Sequence, residues 1–166
     1  MFQRAALEFD TDDKPALYAE LLTRLGGLLM GERDRIANAA NMSALLFEML
    51  PDLNWAGFYF LDGARRELIV GPFQGKPACV RIAVGQGVCG TAVAERRAIV
   101  VPNVDAFPGH IACDAASRSE VVLPLFRGDA VIGVLDLDSP LLARFDDEDR
   151  NGLAAAAAAF VAGSDF

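Results

Sequence analysis

Residues 79–113 read CVRIAVGQGVCGTAVAERRAIVVPNVDAFPGHIAC. The apolar residues at 79–84 predict a short strand, and the glycines of GQGVCG predict a sharp turn into a short helix over 91–97. A second short strand is expected at 98–101. Proline, glycine and aspartate then interrupt every periodic pattern over 102–119, which predicts a long irregular loop. A loop of that length inside a compact domain is usually functional or disordered.

All three cysteines of the chain lie in this stretch, as Cys79, Cys89 and Cys113. A free thiol behaves as a small hydrophobic group, so burial in a core would by itself account for three scattered cysteines. Two features favour a chemical role. Cys89 has glycines nearby, at Gly87 and Gly90, where nothing requires a buried apolar side chain, and Cys113 lies in the irregular loop, where reactive groups are common. A thiol in a mobile loop and another at a strand end form a redox pair if their Cα atoms come within about 7 Å.

Helices are predicted toward both ends of the chain. Leucines at helical spacing predict a first helix over about 13–30, capped by an aspartate at its start. A second helix is expected from about 34 to 50, where Pro51 ends it. The last helix begins in an acidic run and is expected over 146–163, with an alanine-rich side that permits close packing.

Four longer strands are predicted between these helices. Aromatic residues alternate with smaller ones over 54–61 and an Asp-Gly turn follows, which indicates a strand entering a hairpin. The chain returns as a strand at 67–71, and 72–77 is expected to be a loop. Two later strands, 120–126 and 130–138, are joined by a tight turn, and the second is so apolar that it is expected near the centre of the sheet.

The order of elements predicts the fold class. Runs of strands with helices gathered at the chain ends indicate the α+β class: a mostly antiparallel sheet of about six strands, with helices from both chain ends packed on one face. A length of 166 residues fits a single domain over 1–166. Within it we expect the N-terminal helices at 13–50, the sheet and the active site at 54–138, and the C-terminal helix at 146–163.

The charge and the composition exclude several classes of function. A net charge of −8 disfavours binding to nucleic acid or to an anionic membrane. Neither a signal peptide nor an apolar run of about 18 residues is visible, so a cytoplasmic protein without membrane contact is expected. Three cysteines without a C-x-x-C pair, and His110 as the only histidine, predict no metal and no other cofactor. His110 lies three residues before Cys113, but a lone loop histidine is interpreted as a solvated residue.

Three carboxylates and two aromatic residues are candidates for a ligand site. Asp136 and Asp138 are two residues apart on one predicted strand, so both side chains lie on the same face of the sheet. With Glu120 they supply an acidic surface that binds an ammonium group or, if the pKa of one acid is raised, protonates a leaving oxygen. Trp55 and Tyr59 supply an aromatic wall for a methyl or sulfonium-like carbon. Each acid is also compatible with an ordinary solvated position at a strand end.

Six motifs occur in order between residues 54 and 145: WAGFYF, GPFQGKPAC, GQGVCGTA, VPNVDAFPGHIACD, SEVVLPL and IGVLDLDS. Together they resemble the free methionine-(R)-sulfoxide reductases, which are single GAF domains. The specific part of the resemblance is the set of three cysteines at this spacing, each inside its expected motif, because many other GAF domains lack them. The N-terminal helices and the alanine-rich tail are less specific.

The resemblance implies a reaction and a role for each candidate residue. The thiol of Cys113 attacks the sulfur of free L-methionine-(R)-sulfoxide, methionine leaves, and a sulfenic acid remains on the cysteine. Cys79 then forms an intramolecular disulfide with Cys113, which a thioredoxin-like donor reduces. Cys89 matches the third cysteine of the family and is expected to assist. Trp55 and Tyr59 would hold the methyl end, and the three carboxylates would hold the ammonium group and the sulfoxide oxygen. The division of labour among the acids, and whether the chain forms a homodimer, stay open.

Two other functions are compatible with the same residues. A GAF domain that senses a small ligand would bind it without turnover and without dependence on cysteine, although a chain of 166 residues shows no attached output domain. A redox-sensing interaction protein would respond to peroxide without specificity for a sulfoxide. Turnover that depends on both cysteine and sulfoxide separates the reductase from these two alternatives.

Overall fold

A computed structural model describes residues 11–166 of the chain. Within these residues the chain forms four α-helices, six β-strands and one turn of 3₁₀ helix. In chain order they are α1 Lys14–Leu29, α2 Arg35–Met49, β1 Trp55–Asp62, β2 Glu67–Gly75, β3 Arg81–Ala83, α3 Gly87–Glu95, β4 Ile99–Val101, the 3₁₀ turn Val104–Ala106, β5 Ser119–Arg127, β6 Ala130–Ser139 and α4 Asp147–Gly163.

The strands form one antiparallel sheet in the order β3-β2-β1-β6-β5-β4. β6 lies in the middle beside β1, which confirms the central position expected for the apolar segment 130–138. Helices α1, α2 and α4 pack on one face, so the predicted α+β class is confirmed, with helices from both chain ends on one side of the sheet. The short helix α3 lies on the opposite face, against β5 and β6. None of the helices in residues 11–166 combines the length and the apolar character that crossing a bilayer requires.

Alternation along the central strands gives the sheet two apolar faces. Phe58, Leu123 and Leu135 lie on the face covered by α1, α2 and α4, where burial of each side chain contributes about 1.5–3 kcal/mol. Tyr59 follows Phe58 and Val122 precedes Leu123, so both side chains lie on the opposite face, in a smaller core completed by α3. The same strands thus build the main core and present every second side chain to the layer that contains the pocket.

Aspartates cap the three long helices and fix where they begin. The side chain of Asp13 accepts a hydrogen bond from a backbone N–H in the first turn of α1, and Asp34 does the same for α2. Asp146 and Asp149 form a capping box at the start of α4. Each helix therefore begins one residue after its cap, which confirms these helices to within a residue of the expected starts at 13, 34 and 146.

β2 is longer than predicted. It continues to Gly75, whereas the sequence pattern ends the strand at Gly71 and assigns Pro72 to a loop. The register between β1 and β2 shifts between Gly57 and Tyr59, which places one extra residue on β2. Such a bulge tolerates a proline because the bulged residue makes no ladder hydrogen bond. The longer strand carries the chain on to the edge of the pocket.

Helix α3 begins earlier than predicted. The pattern places its start at Thr91, but the helix begins at Gly87, whose φ of +59° turns the chain sharply. A side chain on Gly90 would collide with the carbonyl oxygen of Ala83, so the strand and the helix approach closely only because this residue is glycine. Cys89 consequently lies in the first helical turn and is buried. The expectation that nothing buries Cys89 is therefore wrong.

Candidate active site

A pocket opens on the α3 side of the sheet, where the ends of β1, β5 and β6 meet helix α3 and the loops before β3 and β5. In this disulfide form its free interior is small, with a volume of about 30 Å³. Seven of the eight residues expected for the site line it, and the eighth, Cys79, is bonded to one of the seven. The seven are Trp55, Tyr59, Cys89, Cys113, Glu120, Asp136 and Asp138.

Cys79 and Cys113 form a disulfide at the mouth of this pocket. Their Cα atoms are 5.6 Å apart although 34 residues separate them in sequence. This is an ordinary distance for a disulfide and lies inside the limit expected for a redox pair. The pairing implied by the resemblance is thus present. Cys79 lies two residues before β3, not at its start, because only three residue pairs join β3 to β2.

The three carboxylates lie together on one face of the sheet. Glu120 on β5 is paired in register with Asp138 on β6, and Asp136 is the next residue of β6 on that face. Glu120 and Asp136 each expose only 6% of their surface. Burial raises the pKa of all three carboxyl groups well above their ordinary values, and the charge of a neighbouring carboxylate raises each further. The interpretation as solvated strand-end charges is therefore wrong, because a cluster of buried acids needs a proton or a cationic ligand.

Cys89 is the buried thiol of this cluster. Its side chain extends from α3, and its sulfur lies within 4.8 Å of a carboxylate oxygen of both Asp136 and Glu120. Burial raises the pKa of the Cys89 thiol well above its ordinary value, and the charges of Asp136 and Glu120 raise it further. Cys89 is thus a protonated thiol in the apo site, which is unsuited to act as the attacking nucleophile.

An aromatic wall forms one side of the pocket. Trp55 stacks on Tyr59 with ring centroids 5.7 Å apart, and on Phe73 with centroids 5.1 Å apart. The indole Nε1–H donates to the backbone oxygen of Lys76 at 3.2 Å, so the bulge and the extension of β2 fix the indole plane. Trp55 and Tyr59 are adjacent along one face of β1, as the alternation predicts. Phe73 was not foreseen, because its position depends on the bulge.

His110 is a pocket residue that the sequence interpretation missed. Its Nε2 lies 3.3 Å from Oε2 of Glu120, and only 14% of its side chain is exposed. Burial lowers the pKa of the imidazole, which favours its neutral form. The interpretation of His110 as a solvated loop residue is wrong because the loop before β5 folds back over the sheet. Spacing along the chain gave no sign of this contact.

A polar network ties the two cysteine-bearing loops to the sheet. The amide nitrogen of Asn54 donates to Asp114 at 3.1 Å and to Ser117 at 2.9 Å, and so holds the loop of Cys113 against the start of β1. Lys76, near Cys79, places its ammonium group 3.6 Å from the other oxygen of Asp114. A backbone N–H and the Asn54 amide keep the pKa of Asp114 below its ordinary value. In the described part of the chain, Lys76 is the one lysine or arginine that lines the pocket.

Comparisons with known proteins agree with this arrangement. The family model of the GAF domain matches residues 29–164. The chain is 55% identical over 141 residues to the free methionine-R-sulfoxide reductase of Escherichia coli strain K12, which covers 85% of this chain and 84% of that protein.

Solved structures show the same similarity in three dimensions. The free methionine-R-sulfoxide reductase of Neisseria meningitidis, in complex with its substrate, matches with a TM-score of 0.90 and 46% identity over 96% of this chain and 95% of that one. The reduced form of fRMsr of Staphylococcus aureus matches with a TM-score of 0.84 and 51% identity, over 88% of this chain and 94% of that one. These levels of identity and coverage show family membership as well as a shared fold.

Proposed function

We propose that this chain, which belongs to the GAF domain family and within it to the free methionine-R-sulfoxide reductases, reduces free L-methionine-(R)-sulfoxide to L-methionine. The observation that carries the proposal is the disulfide between Cys79 and Cys113 at the mouth of a pocket whose floor is formed by buried carboxylates. The relatives from E. coli and N. meningitidis bear the name of this activity. A redox pair and an acidic floor are the two parts that sulfoxide reduction needs.

The pocket offers a partner for each group of the free amino acid. The buried carboxylates Glu120 and Asp136, with the half-buried Asp138 beside them, suit the ammonium group and the sulfoxide oxygen, because a buried anion needs a cation or a proton. Trp55 with Tyr59 forms an apolar wall for the methyl end. Lys76, at the rim, is assigned to the substrate carboxylate, since it is the cation nearest the mouth of the pocket.

The first chemical step transfers the oxygen to the enzyme. The thiol of Cys113 gives its proton to a carboxylate and its sulfur attacks the sulfoxide sulfur, while one of the three acids gives a proton to the sulfoxide oxygen. The hydroxyl group then moves to the sulfur of Cys113 as both its bond to the substrate sulfur and the transient sulfur–sulfur bond break, which leaves a sulfenic acid on Cys113 and releases the thioether with the bonding electron pair. One thiol and one sulfoxide thus give one sulfenic acid and one thioether. Neighbouring acids disfavour a thiolate, so Cys113 ionises best when the ammonium group of the substrate neutralises them.

The next two steps restore the enzyme. The thiol of Cys79 attacks the sulfenic acid of Cys113, which releases water and forms the disulfide seen in the structure. A dithiol donor of the thioredoxin type then reduces this bond by thiol exchange and leaves with its own disulfide. The net reaction moves two electrons from the donor to the sulfoxide and yields methionine and water.

A coupled assay tests the proposed function. Purified protein is mixed with thioredoxin, thioredoxin reductase, NADPH and free L-methionine-(R)-sulfoxide, and the loss of NADPH is followed together with the formation of methionine. The expected result is one NADPH consumed for each methionine formed, with little turnover of the S epimer, because Cys113 reaches a fixed sulfur atom from one side. Binding of the sulfoxide without NADPH consumption would instead support a ligand sensor, and consumption with peroxide alone would support a redox switch.

A further inference from the structure

The floor of the pocket brings together ligand types that bind a transition metal. One ligand atom from each of Cys89, Glu120 and Asp136 lies within 4.8 Å of the other two, and all three residues are buried. Thiolate, imidazole and carboxylate are the ligands that Zn²⁺ takes in proteins.

An unpartnered acceptor points to a cationic ligand at the same place. Oδ1 of Asp136 is buried and accepts no hydrogen bond among the described residues. Only 6% of the surface of Asp136 is exposed, so bulk water does not satisfy this oxygen. A buried carboxylate oxygen without a donor, beside a second carboxylate, favours a bound cation.

The fold itself assembles this group. Cys89 comes from α3, Glu120 from β5 and Asp136 from β6, and the ligand atoms of the three lie within 4.8 Å of one another. The imidazole of His110 lies 3.3 Å from Oε2 of Glu120 and is not part of this group. Three protein ligands with one open position are the pattern of catalytic zinc sites.

We propose that Cys89, Glu120 and Asp136 bind one divalent ion of the zinc class, and that the bound ion excludes the sulfoxide. On binding, the thiol of Cys89 releases its proton to solvent and becomes a thiolate ligand. The exclusion rests on the proposed function, because the ion would occupy the carboxylates assigned to the substrate. The binding itself does not depend on it. The expectation of no metal rests on spacing along the chain, and these three residues are distant in sequence.

Metal binding is tested on the whole protein in its disulfide form, in which Cys79 and Cys113 offer no thiol. Co²⁺ is added while absorption is followed, and Zn²⁺ is then used to displace it. We expect about one Co²⁺ per chain with a thiolate-to-cobalt charge-transfer band, and Zn²⁺ should remove the band. Cys89→Ser should abolish the band, and Glu120→Gln should weaken binding at least about tenfold. Asp129→Asn, an exposed acid in the turn between β5 and β6, is the matched control and should change nothing.

Two results would overturn the binding site. One is the absence of a charge-transfer band in the wild-type protein, where Cys89 is the free cysteine. The other is binding in Cys89→Ser and Glu120→Gln as strong as in the wild-type protein, which would indicate an adventitious ion on the acidic surface only. If Cys89→Ser does not fold, the wild-type band and Glu120→Gln still decide the question.

Exclusion of the substrate needs a separate measurement without turnover. Calorimetry on the double variant Cys79→Ser/Cys113→Ser compares the affinity for free methionine-(R)-sulfoxide with and without one equivalent of Zn²⁺. We expect the ion to weaken sulfoxide binding at least about tenfold, because both compete for the same carboxylates. An unchanged affinity overturns the exclusion. Absence of sulfoxide binding in both conditions counts against the proposed function and leaves the metal site to the cobalt experiment.

Discussion

Selectivity for the free amino acid follows from the buried carboxylates. N-acetylation replaces the ammonium group of methionine-(R)-sulfoxide with an uncharged amide and leaves the sulfoxide unchanged. Because Glu120 and Asp136 are buried beside Asp138, the ammonium group is the cation proposed to neutralise them. We therefore expect the enzyme to reduce the free amino acid and to fail on N-acetylated and peptide-bound methionine sulfoxide.

The burial of these acids sets the size of the preference. Removing one partner of a buried ion pair costs about 3–5 kcal/mol, whereas an exposed pair contributes about 0–1 kcal/mol. At about 1.4 kcal/mol for each tenfold change, the buried site predicts a ratio of kcat/KM of about 10³ between the free and the acetylated substrate. An exposed site would give a ratio below about tenfold.

The assay compares kcat/KM on the two R-sulfoxides for wild type, Asp136→Ala and Asp138→Ala. Both variants should lose far more activity on the free substrate than on the acetylated one, so that the ratio falls toward one. Asp129→Ala, in the exposed turn of the same hairpin, is the matched control and should keep the wild-type ratio.

Comparable rates on both substrates for the wild-type enzyme would refute the reasoning. The same conclusion would follow if Asp136→Ala and Asp138→Ala lowered both rates equally. In that case the carboxylates would act on the sulfoxide alone and would not select the ammonium group.

Three further results are expected. Hydrogen exchange over residues 102–118 should be slower in the disulfide form than in the reduced form, because the bond to Cys79 fixes this loop as a closed lid; equal protection in both forms, unchanged by substrate, would count against a moving lid. Asp136→Asn should stabilise the apo protein by about 0.5–2 kcal/mol at pH 8 and by less at pH 5. The reason is that the pKa of Asp136 is higher in the folded state than in the unfolded state. The stability that the protonated carboxyl group contributes is therefore fully present below the unfolded-state pKa and is lost as pH rises through the folded-state pKa. Thermal unfolding at the two pH values measures this difference, and a lower Tm of the variant at both would contradict it. Lys76→Met should raise KM for the sulfoxide about two- to fivefold with kcat little changed, because an ion pair made by a side chain that is 72% exposed is weak. Steady-state kinetics measures this, and an unchanged KM would argue against binding of the substrate carboxylate by Lys76.

Features that depend on local periodicity were predictable from the sequence. Alternation along β1 and β6 placed Trp55 with Tyr59, and Asp136 with Asp138, on the correct face, because a strand has a fixed period of two. The caps of the long helices were readable because an aspartate acts within its own first turn. The disulfide between Cys79 and Cys113 came from the family resemblance, since sequence spacing alone does not fix which thiols meet.

Features that depend on contacts between distant segments were not predictable. The sequence predicts a solvated His110 because its partner, Glu120, becomes a neighbour only after the loop folds over the sheet. The early start of α3 depends on the close approach of Gly90 to the carbonyl oxygen of Ala83. The spacing of apolar residues along a helix does not predict such a contact. The extension of β2 through Pro72 needs a bulge, which follows from pairing with β1.

The central claim is that Cys113 is the nucleophile and Cys79 resolves its sulfenic acid, and a single turnover tests it most directly. Reduced Cys79→Ser protein, freed of reductant and mixed with free L-methionine-(R)-sulfoxide, should form about one methionine per enzyme. It should then carry a sulfenic acid on Cys113 that dimedone traps for mass spectrometry, and it should stall when the thioredoxin system is added. Cys113→Ser should form no methionine. One methionine per enzyme from Cys113→Ser and none from Cys79→Ser would contradict the account.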